Sequence, residues 1–196
     1  MKRRIGIFGG SFDPIHVGHA IIASHVLRQG LVDQLWLMVT PENPFKSGRR
    51  MAPEADRLRM TEMVTRRIDG AVTSAFEMQL PRPSYTIDTL RALKSKFPND
   101  EFHLLIGADN WAAWDRWREA DEIVNNHHVM VYPRLGFDVV IPPELSSRVT
   151  LIDAPVIEIS STQVRQLLAA GESAAFYVPD EVERFARVHK IYQNNE

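Results

Sequence analysis

The run Leu35-Trp36-Leu37-Met38-Val39 is apolar at every position. A strand with one face in water alternates apolar and polar residues, so an unbroken apolar run of this length needs cover on both faces. Helices on either side of a parallel sheet give such cover, and the chain has the periodicities to supply them. Ile5-Gly6-Ile7-Phe8 reads as a first strand that breaks at Gly9-Gly10. Val17, Ile21, Ile22, Val26 and Leu27 then recur at helical spacing, and Gly30 offers a left-handed stop. Pro53 can open a second helix, carried by Leu58, Met60, Met63, Val64 and Ile68 as far as Gly70. A third strand is expected at 71–76, a helix at 86–97 capped by Thr86, and a fourth strand at 102–106. A helix near 119–125, a fifth strand at 129–132, a short strand at 149–152 and helices at 160–169 and 180–189 complete the pattern. The expected fold class is α/β: a doubly wound, mostly parallel sheet with a small C-terminal helical part, read as a single domain over residues 1–196.

A chain of 196 residues with 44% apolar content can bury a core without covalent staples. It has no cysteine, which excludes disulfides, thiolate metal sites and cysteine nucleophiles. The 23 basic and 25 acidic residues leave a net charge of −2, too little of one sign to hold nucleic acid or an anionic membrane by a global field. Phosphate binding must therefore be local. No stretch has the length of a signal peptide's apolar core or of a membrane span, so the expectation is a cytoplasmic protein. No seam for self-association is evident in the sequence, which leaves a homo-oligomer open.

Ligands of doubly wound sheets bind beyond the carboxyl ends of the strands, and the unusual residues lie there. The first strand runs into Gly9-Gly10-Ser11-Phe12-Asp13-Pro14-Ile15-His16-Val17-Gly18-His19. This is neither a P-loop nor a spaced-glycine dinucleotide fingerprint. The glycines suit a sharp turn that brings amides close to an anion, and Ser11 adds a hydroxyl. His16 and His19 lie three apart near a helix start and can face one spot, and Gly18 between them leaves room for a ligand to lie close to the helix. Two histidines so spaced also suit a polar helix face, or a zinc pair with Asp13 as the nearby third ligand. Far along the chain, Ile159-Ser160-Ser161-Thr162-Gln163-Val164-Arg165 opens another helix, with hydroxyls, first-turn amides and a forked cation that again fit an anion. Alone it would read as a helix cap followed by an exposed arginine.

The opening run resembles the signature of the nucleotidyltransferase superfamily, His-x-Gly-His after the first strand, and closely resembles the opening of nicotinate mononucleotide adenylyltransferases. The second segment resembles that family's Ile-Ser-Ser-Thr-x-x-Arg element. Class I aminoacyl-tRNA synthetases share the His-x-Gly-His core, but their lysine-rich second signature is absent here. The resemblance extends over essentially the whole chain. It implies a Rossmann-like nucleotidyltransferase sheet and adenylyl transfer from ATP to nicotinate mononucleotide in NAD biosynthesis. It further implies direct attack without a covalent enzyme intermediate, and Mg2+ bound mainly through the ATP phosphates rather than by protein ligands. The same chemistry on nicotinamide mononucleotide or phosphopantetheine is the alternative.

Residue by residue, the resemblance assigns ATP to Gly9, Gly10, Ser11, Phe12, His16, His19, Gly107, Ile159, Ser161, Thr162 and Arg165, with His16, His19 and Arg165 as the catalytic groups. It assigns the mononucleotide to Ser11, Lys46, Tyr85, Thr86, Asp109, Trp117, Arg118 and Arg134. Lys46 ends Asn43-Pro44-Phe45-Lys46, where relatives carry Pro-Pro-His-Lys or similar, and Leu135 stands in place of a usual proline after Arg134. The amides of Thr86 and Arg118 are implied for the pyridine carboxylate, Asp109 for ribose hydroxyls, and Trp117 for stacking on the pyridine ring. Trp111 and Trp114, at the same spacing, read as packing. His25, His103, His127, His128 and His189 read as helix-surface, strand or loop residues.

Overall fold

The computed structural model describes residues 2–41 and 51–193, so Lys46 and the variant loop around it lie outside the described residues. Its strands are β1 (Arg4–Gly10), β2 (Gln34–Val39), β3 (Ala71–Ser74), β4 (Glu101–Gly107), β5 (His128–Tyr132) and β6 (Val149–Leu151). Its helices are α1 (Val17–Arg28), α2 (Glu54–Thr65), α3 (Thr86–Lys96), α4 (Ala108–Trp111), α5 (Ala120–Asn126), α6 (Ser161–Ala169) and α7 (Asp180–Val188). The strands form one sheet in the order β3-β2-β1-β4-β5-β6, and each pairing is parallel.

The apolar run in β2 does what its pattern requires. Leu35, Leu37 and Val39 enter one buried cluster, while Trp36 and Met38 face the other. The first cluster gathers Ile22 and Val26 of α1, Met60 and Val64 of α2, Val164 and Leu168 of α6, and Val182 and Ala186 of α7. The second gathers Ile87, Leu90 and Leu93 of α3, Trp111 of α4, and Ile123 and Val124 of α5. The C-terminal helices are thus part of the main core. Val17 N–H, orphaned at the start of α1, donates to Tyr177 O at 2.9 Å, a further tie between the chain's two ends.

Several boundaries differ from the sequence expectation. β1 does not break at Gly9 but pairs on through Gly10, opposite Met38 and Val39. α2 ends at Thr65, and Gly70 at φ 83 turns the chain into β3 rather than closing the helix. β3 stops at Ser74, whose hydroxyl accepts from Phe76 N–H at 3.3 Å and starts a tight turn, so Phe76–Gln79 is a 3-10 helix. Thr86 is the first helical residue of α3, and Tyr85 occupies the cap position.

At the amino ends of β4 and β5, away from the cavity described below, three histidines share a half-buried corner. His103 Nε2 lies 3.3 Å from Glu101 Oε1, His127 Nδ1 lies 3.0 Å from Phe102 O, and His128 Nε2 lies 2.9 Å from Thr150 Oγ1. Burial lowers the pKa of all three. The unfolded chain takes up these protons near pH 6.5 and the folded chain only below it, so stability declines as pH falls through that value. Urea unfolding at about pH 7.5 and 5.5 should show this loss, and His103→Gln/His127→Gln/His128→Gln should show a smaller one. Equal losses in the two proteins would contradict the assignment.

Candidate active site

The strand order reverses between β1 and β4, whose connections leave the sheet in opposite directions and open a crevice beyond their carboxyl ends. A cavity of about 860 Å3 fills it. Each residue assigned from the sequence lines this cavity except Lys46, which the structure does not describe. Segments 150 residues apart are therefore neighbours.

On the β1 side the turn is made differently from the expectation. Neither Gly9 nor Gly10 has a positive φ; the left-handed residue is Phe12, at φ 42. A bulky residue there costs about 1–2 kcal/mol, offset by burying the ring to 1% exposure. Phe12 meets Phe8 and His19 edge-on, at centroid distances of 5.7 and 5.0 Å. Gly10 is required by that ring, since a Cβ would sit 3.0 Å from Phe12 Cζ, whereas a Cβ on Gly9 would meet nothing nearer than 3.9 Å.

His16 is the N-cap of α1, and its ring stacks on that of His19 at 3.7 Å. His16 N–H donates to His19 Nδ1 at 3.2 Å, which leaves the His19 ring proton on Nε2. Burial, aided by the charge of Arg134, lowers the His16 pKa to about 3, so its imidazole is neutral in the ligand-free protein. The His16 side chain and the His19 N–H make the other half of a capping box, without a well-aligned hydrogen bond at the buried Nδ1. Gly18 makes room for this ring: a Cβ there would lie 3.0 Å from His16 Nδ1 and Cε1. Among the described residues no three His, Asp or Glu converge on a metal-sized site.

The start of α6 is fastened to this loop. Ser161 Oγ donates to Pro14 O at 2.9 Å, and Arg165 Nη1 donates to Asp13 O. Arg165 Nη2 donates to Thr162 Oγ1 at 2.8 Å, and Ser160 Oγ accepts from Gln163 N–H at 3.2 Å as the helix cap. The Ser161 hydroxyl is thus spent on joining the two segments. What Ser161 offers an anion is its first-turn amide, which has no acceptor within the helix.

The far end of the cavity lies between α3 and the tryptophan segment. Trp111 and Trp114 are 9% and 8% exposed, and the Trp111 indole donates to Val140 O at 3.0 Å, so both are packing residues. Trp117 continues the stack, 5.2 Å from Trp114, with an edge in the cavity. The Arg118 guanidinium lies 4.8 Å over the Tyr85 ring, beside the first amides of α3. Across the cavity Arg134 Nε is 3.4 Å from Asp109 Oδ1, in charge contact without an aligned hydrogen bond. Gly107 permits this, because a Cβ there would collide with the Asp109 carboxylate and touch Tyr132.

Sequence reasoning passed over the groups beneath the site. Arg57 is 1% exposed, and its guanidinium donates to Ser11 O and Thr40 O at 2.7 Å, Ala52 O at 3.1 Å and Pro41 O at 3.3 Å. The signal was present: Arg57 falls in phase with buried Met60, Thr61 and Val64 on the inward stripe of α2. Asp13, weighed only as a metal ligand, accepts from Ala52 N–H at 3.3 Å and from Tyr192 Oη at 2.9 Å through Oδ1. Glu77, from the turn after β3, accepts from Ser84 Oγ at 2.6 Å; burial raises its pKa while this bond lowers it.

Residues 7–167 match the cytidylyltransferase-like family. The chain is 43% identical to a probable nicotinate-nucleotide adenylyltransferase of Bacteroides fragilis, over 90% of this chain and 88% of that one. It is 39% identical to a protein of the same description from Bacteroides thetaiotaomicron, over 95% of this chain and 92% of that one. Among solved structures, nicotinic acid mononucleotide adenylyltransferase of Plasmodium falciparum complexed with NaAD shares the fold. It has a TM-score of 0.81 at 20% identity, covering 99% of this chain and 100% of that one.

The Arg57 hub gives a stability prediction. Arg57→Lys keeps a charge but loses the fork that reaches four carbonyls, and should reduce the unfolding free energy by about 2–4 kcal/mol in urea. A change below about 0.5 kcal/mol would mean that the hub is not a structural tie.

Proposed function

This chain belongs to the cytidylyltransferase-like family, and on that premise we propose that it transfers the adenylyl group of ATP to nicotinate mononucleotide in NAD biosynthesis. The products are nicotinate adenine dinucleotide and pyrophosphate. The observation that carries the reading is the joining of the two anion-suited helix starts, α1 and α6, at one end of a cavity whose other end has an aromatic edge and the first amides of α3. One end fits a polyphosphate, and the other fits a flat ring that bears an acceptor group.

A phosphate oxygen of the mononucleotide attacks the α-phosphorus of ATP as the bond to the β-phosphate bridging oxygen breaks. A phosphate monoester is a competent nucleophile at neutral pH, so the protein needs no activating base. Its work is alignment and stabilisation of charge on the phosphoryl oxygens. His16, His19, Thr162 and Arg165 take the triphosphate and the transition state, with Gly9, Gly10, Phe12, Gly107, Ile159 and Ser161 shaping the ATP side. Ser11 and Lys46 take the mononucleotide phosphate, Asp109 the ribose hydroxyls, and Arg134 the phosphates nearby. Trp117 stacks on the pyridine ring beside Tyr85, and the amides of Thr86 and Arg118 receive its carboxylate. The donor set here suits Mg2+ that arrives on the nucleotide: the cavity carboxylate Asp13 is engaged by Tyr192 and Ala52, and Asp109 faces Arg134. Its chemistry would be to neutralise phosphate charge, held by phosphate oxygens and water. Among the described residues no helix is long and apolar enough to cross a membrane.

Pyrophosphate release from ATP with nicotinate mononucleotide, run beside nicotinamide mononucleotide, tests the reading. The acid should be preferred by at least about tenfold in kcat/KM, because amide donors at a helix start favour a carboxylate. Equal or reversed preference would remove Thr86, Trp117 and Arg118 as a carboxylate-reading site while leaving adenylyl transfer in place. No release with either would redirect the search to another acceptor, phosphopantetheine first. Separately, His19→Ala should lower kcat by about 100-fold or more with a much smaller change in KM for ATP, since its donor matters most as charge develops. Weakened binding with normal turnover would refute that role.

A further inference from the structure

Tyr192 lies 179 residues from Asp13, beyond both motif segments, yet its hydroxyl donates to Asp13 Oδ1 at 2.9 Å. The chain is built to place it there. Past α7, Lys190 takes a left-handed φ of 52, and Ile191 N–H returns to Ala186 O at 3.0 Å. This closure reverses the chain direction. Ile191 and Tyr192 then pack, partly buried, against the cluster that covers the α1 face of the sheet. The residue they approach is central to the site. Asp13 is 2% exposed, and its main-chain oxygen accepts from Arg165 Nη1. Its other carboxylate oxygen, Oδ2, lies 3.9 Å from the same Arg165 nitrogen. Tyr192 Oη and Ala52 N–H both donate to Oδ1, on the carboxylate whose other oxygen lies on the Arg165 side.

From this geometry we infer that Tyr192 is a positioning residue for nucleotide binding, acting through Asp13 to fix the Arg165 guanidinium. The C-terminal tail is then part of the active-site support. Burial and the Asp13 charge raise the Tyr192 pKa, so the hydroxyl stays protonated and remains a donor over the working pH range. A tyrosine that only filled space would be replaced by phenylalanine with little consequence. One that orients Asp13 would lose its effect on the site with that single oxygen.

The inference rests on the proposed adenylyl transfer for its kinetic meaning but not for its test, which includes direct binding. Wild type, Tyr192→Phe, Arg165→Ala and the double variant are compared by calorimetric titration with Mg2+ and a non-hydrolysable ATP analogue, alongside kcat/KM for ATP. Tyr192→Phe should weaken analogue binding and lower kcat/KM for ATP by about tenfold. The acceptor KM and the urea midpoint should stay close to wild type. In the Arg165→Ala background the same change should alter binding by less than about twofold, because the group it positions is gone. A full tenfold loss in both backgrounds would overturn the route through Arg165. Unchanged binding in Tyr192→Phe, or weakening matched by a large drop in the urea midpoint, would overturn the positioning role. If wild type binds the analogue but releases no pyrophosphate with any acceptor, the functional reading fails while the binding cycle still decides this one.

Discussion

The loops that leave β1 and β2 run side by side, and their carbonyl oxygens converge with that of Ala52 on one buried point. Arg57 occupies it, bonded to Ser11, Thr40, Pro41 and Ala52. Four carbonyls without a partner would each carry a desolvation penalty, and a buried guanidinium without them would be costlier still. Either half alone is unfavourable, so they are stable only together. The site above inherits its shape from this tie. Ser11 begins the turn that carries Phe12 and the two histidines, and Asp13 beyond it supplies the oxygen that Arg165 binds.

Above that foundation the cavity is bordered by charges of both signs, Arg116, Arg118, Arg134 and Arg165 with Asp13, Glu77 and Asp109. His16, by contrast, is kept neutral by burial and by Arg134. Arg134 Nε and Asp109 Oδ1 face each other at 3.4 Å without an aligned hydrogen bond, so polar groups at the site are held in less than ideal pairings. The left-handed Phe12 belongs to the same pattern: local strain sits at the site, and close packing of its ring holds it there.

Much of this was legible in the residues. The apolar run of β2 called for cover on both faces, and the helical stripes on α1, α3 and α6 supplied it. The glycine- and histidine-bearing loop and the serine-threonine-arginine helix start were recognisable because each is a contiguous segment whose chemistry stands in consecutive residues. Trp111 and Trp114, which read as packing, are buried, and Trp117 lines the cavity. Contacts between residues far apart in the chain were not legible. Nothing local connects Tyr192 to Asp13, or Ser161 to Pro14, and spacing does not say which hydroxyl a backbone carbonyl will claim. Nor does spacing show that Gly18 accommodates the neighbouring imidazole.

The sequence by itself determined the class of fold, the order of its main elements and the segments whose chemistry suits an anion, because periodicity, helix starts and loop chemistry are written in neighbouring residues. Only the tertiary structure decided which polar groups remain for a ligand. Burial and pairing settle that: Ser161 and Arg57 spend their donors on the backbone, while the His19 ring accepts the His16 N–H through Nδ1. Such assignments depend on distances across the sheet that only the packed chain defines.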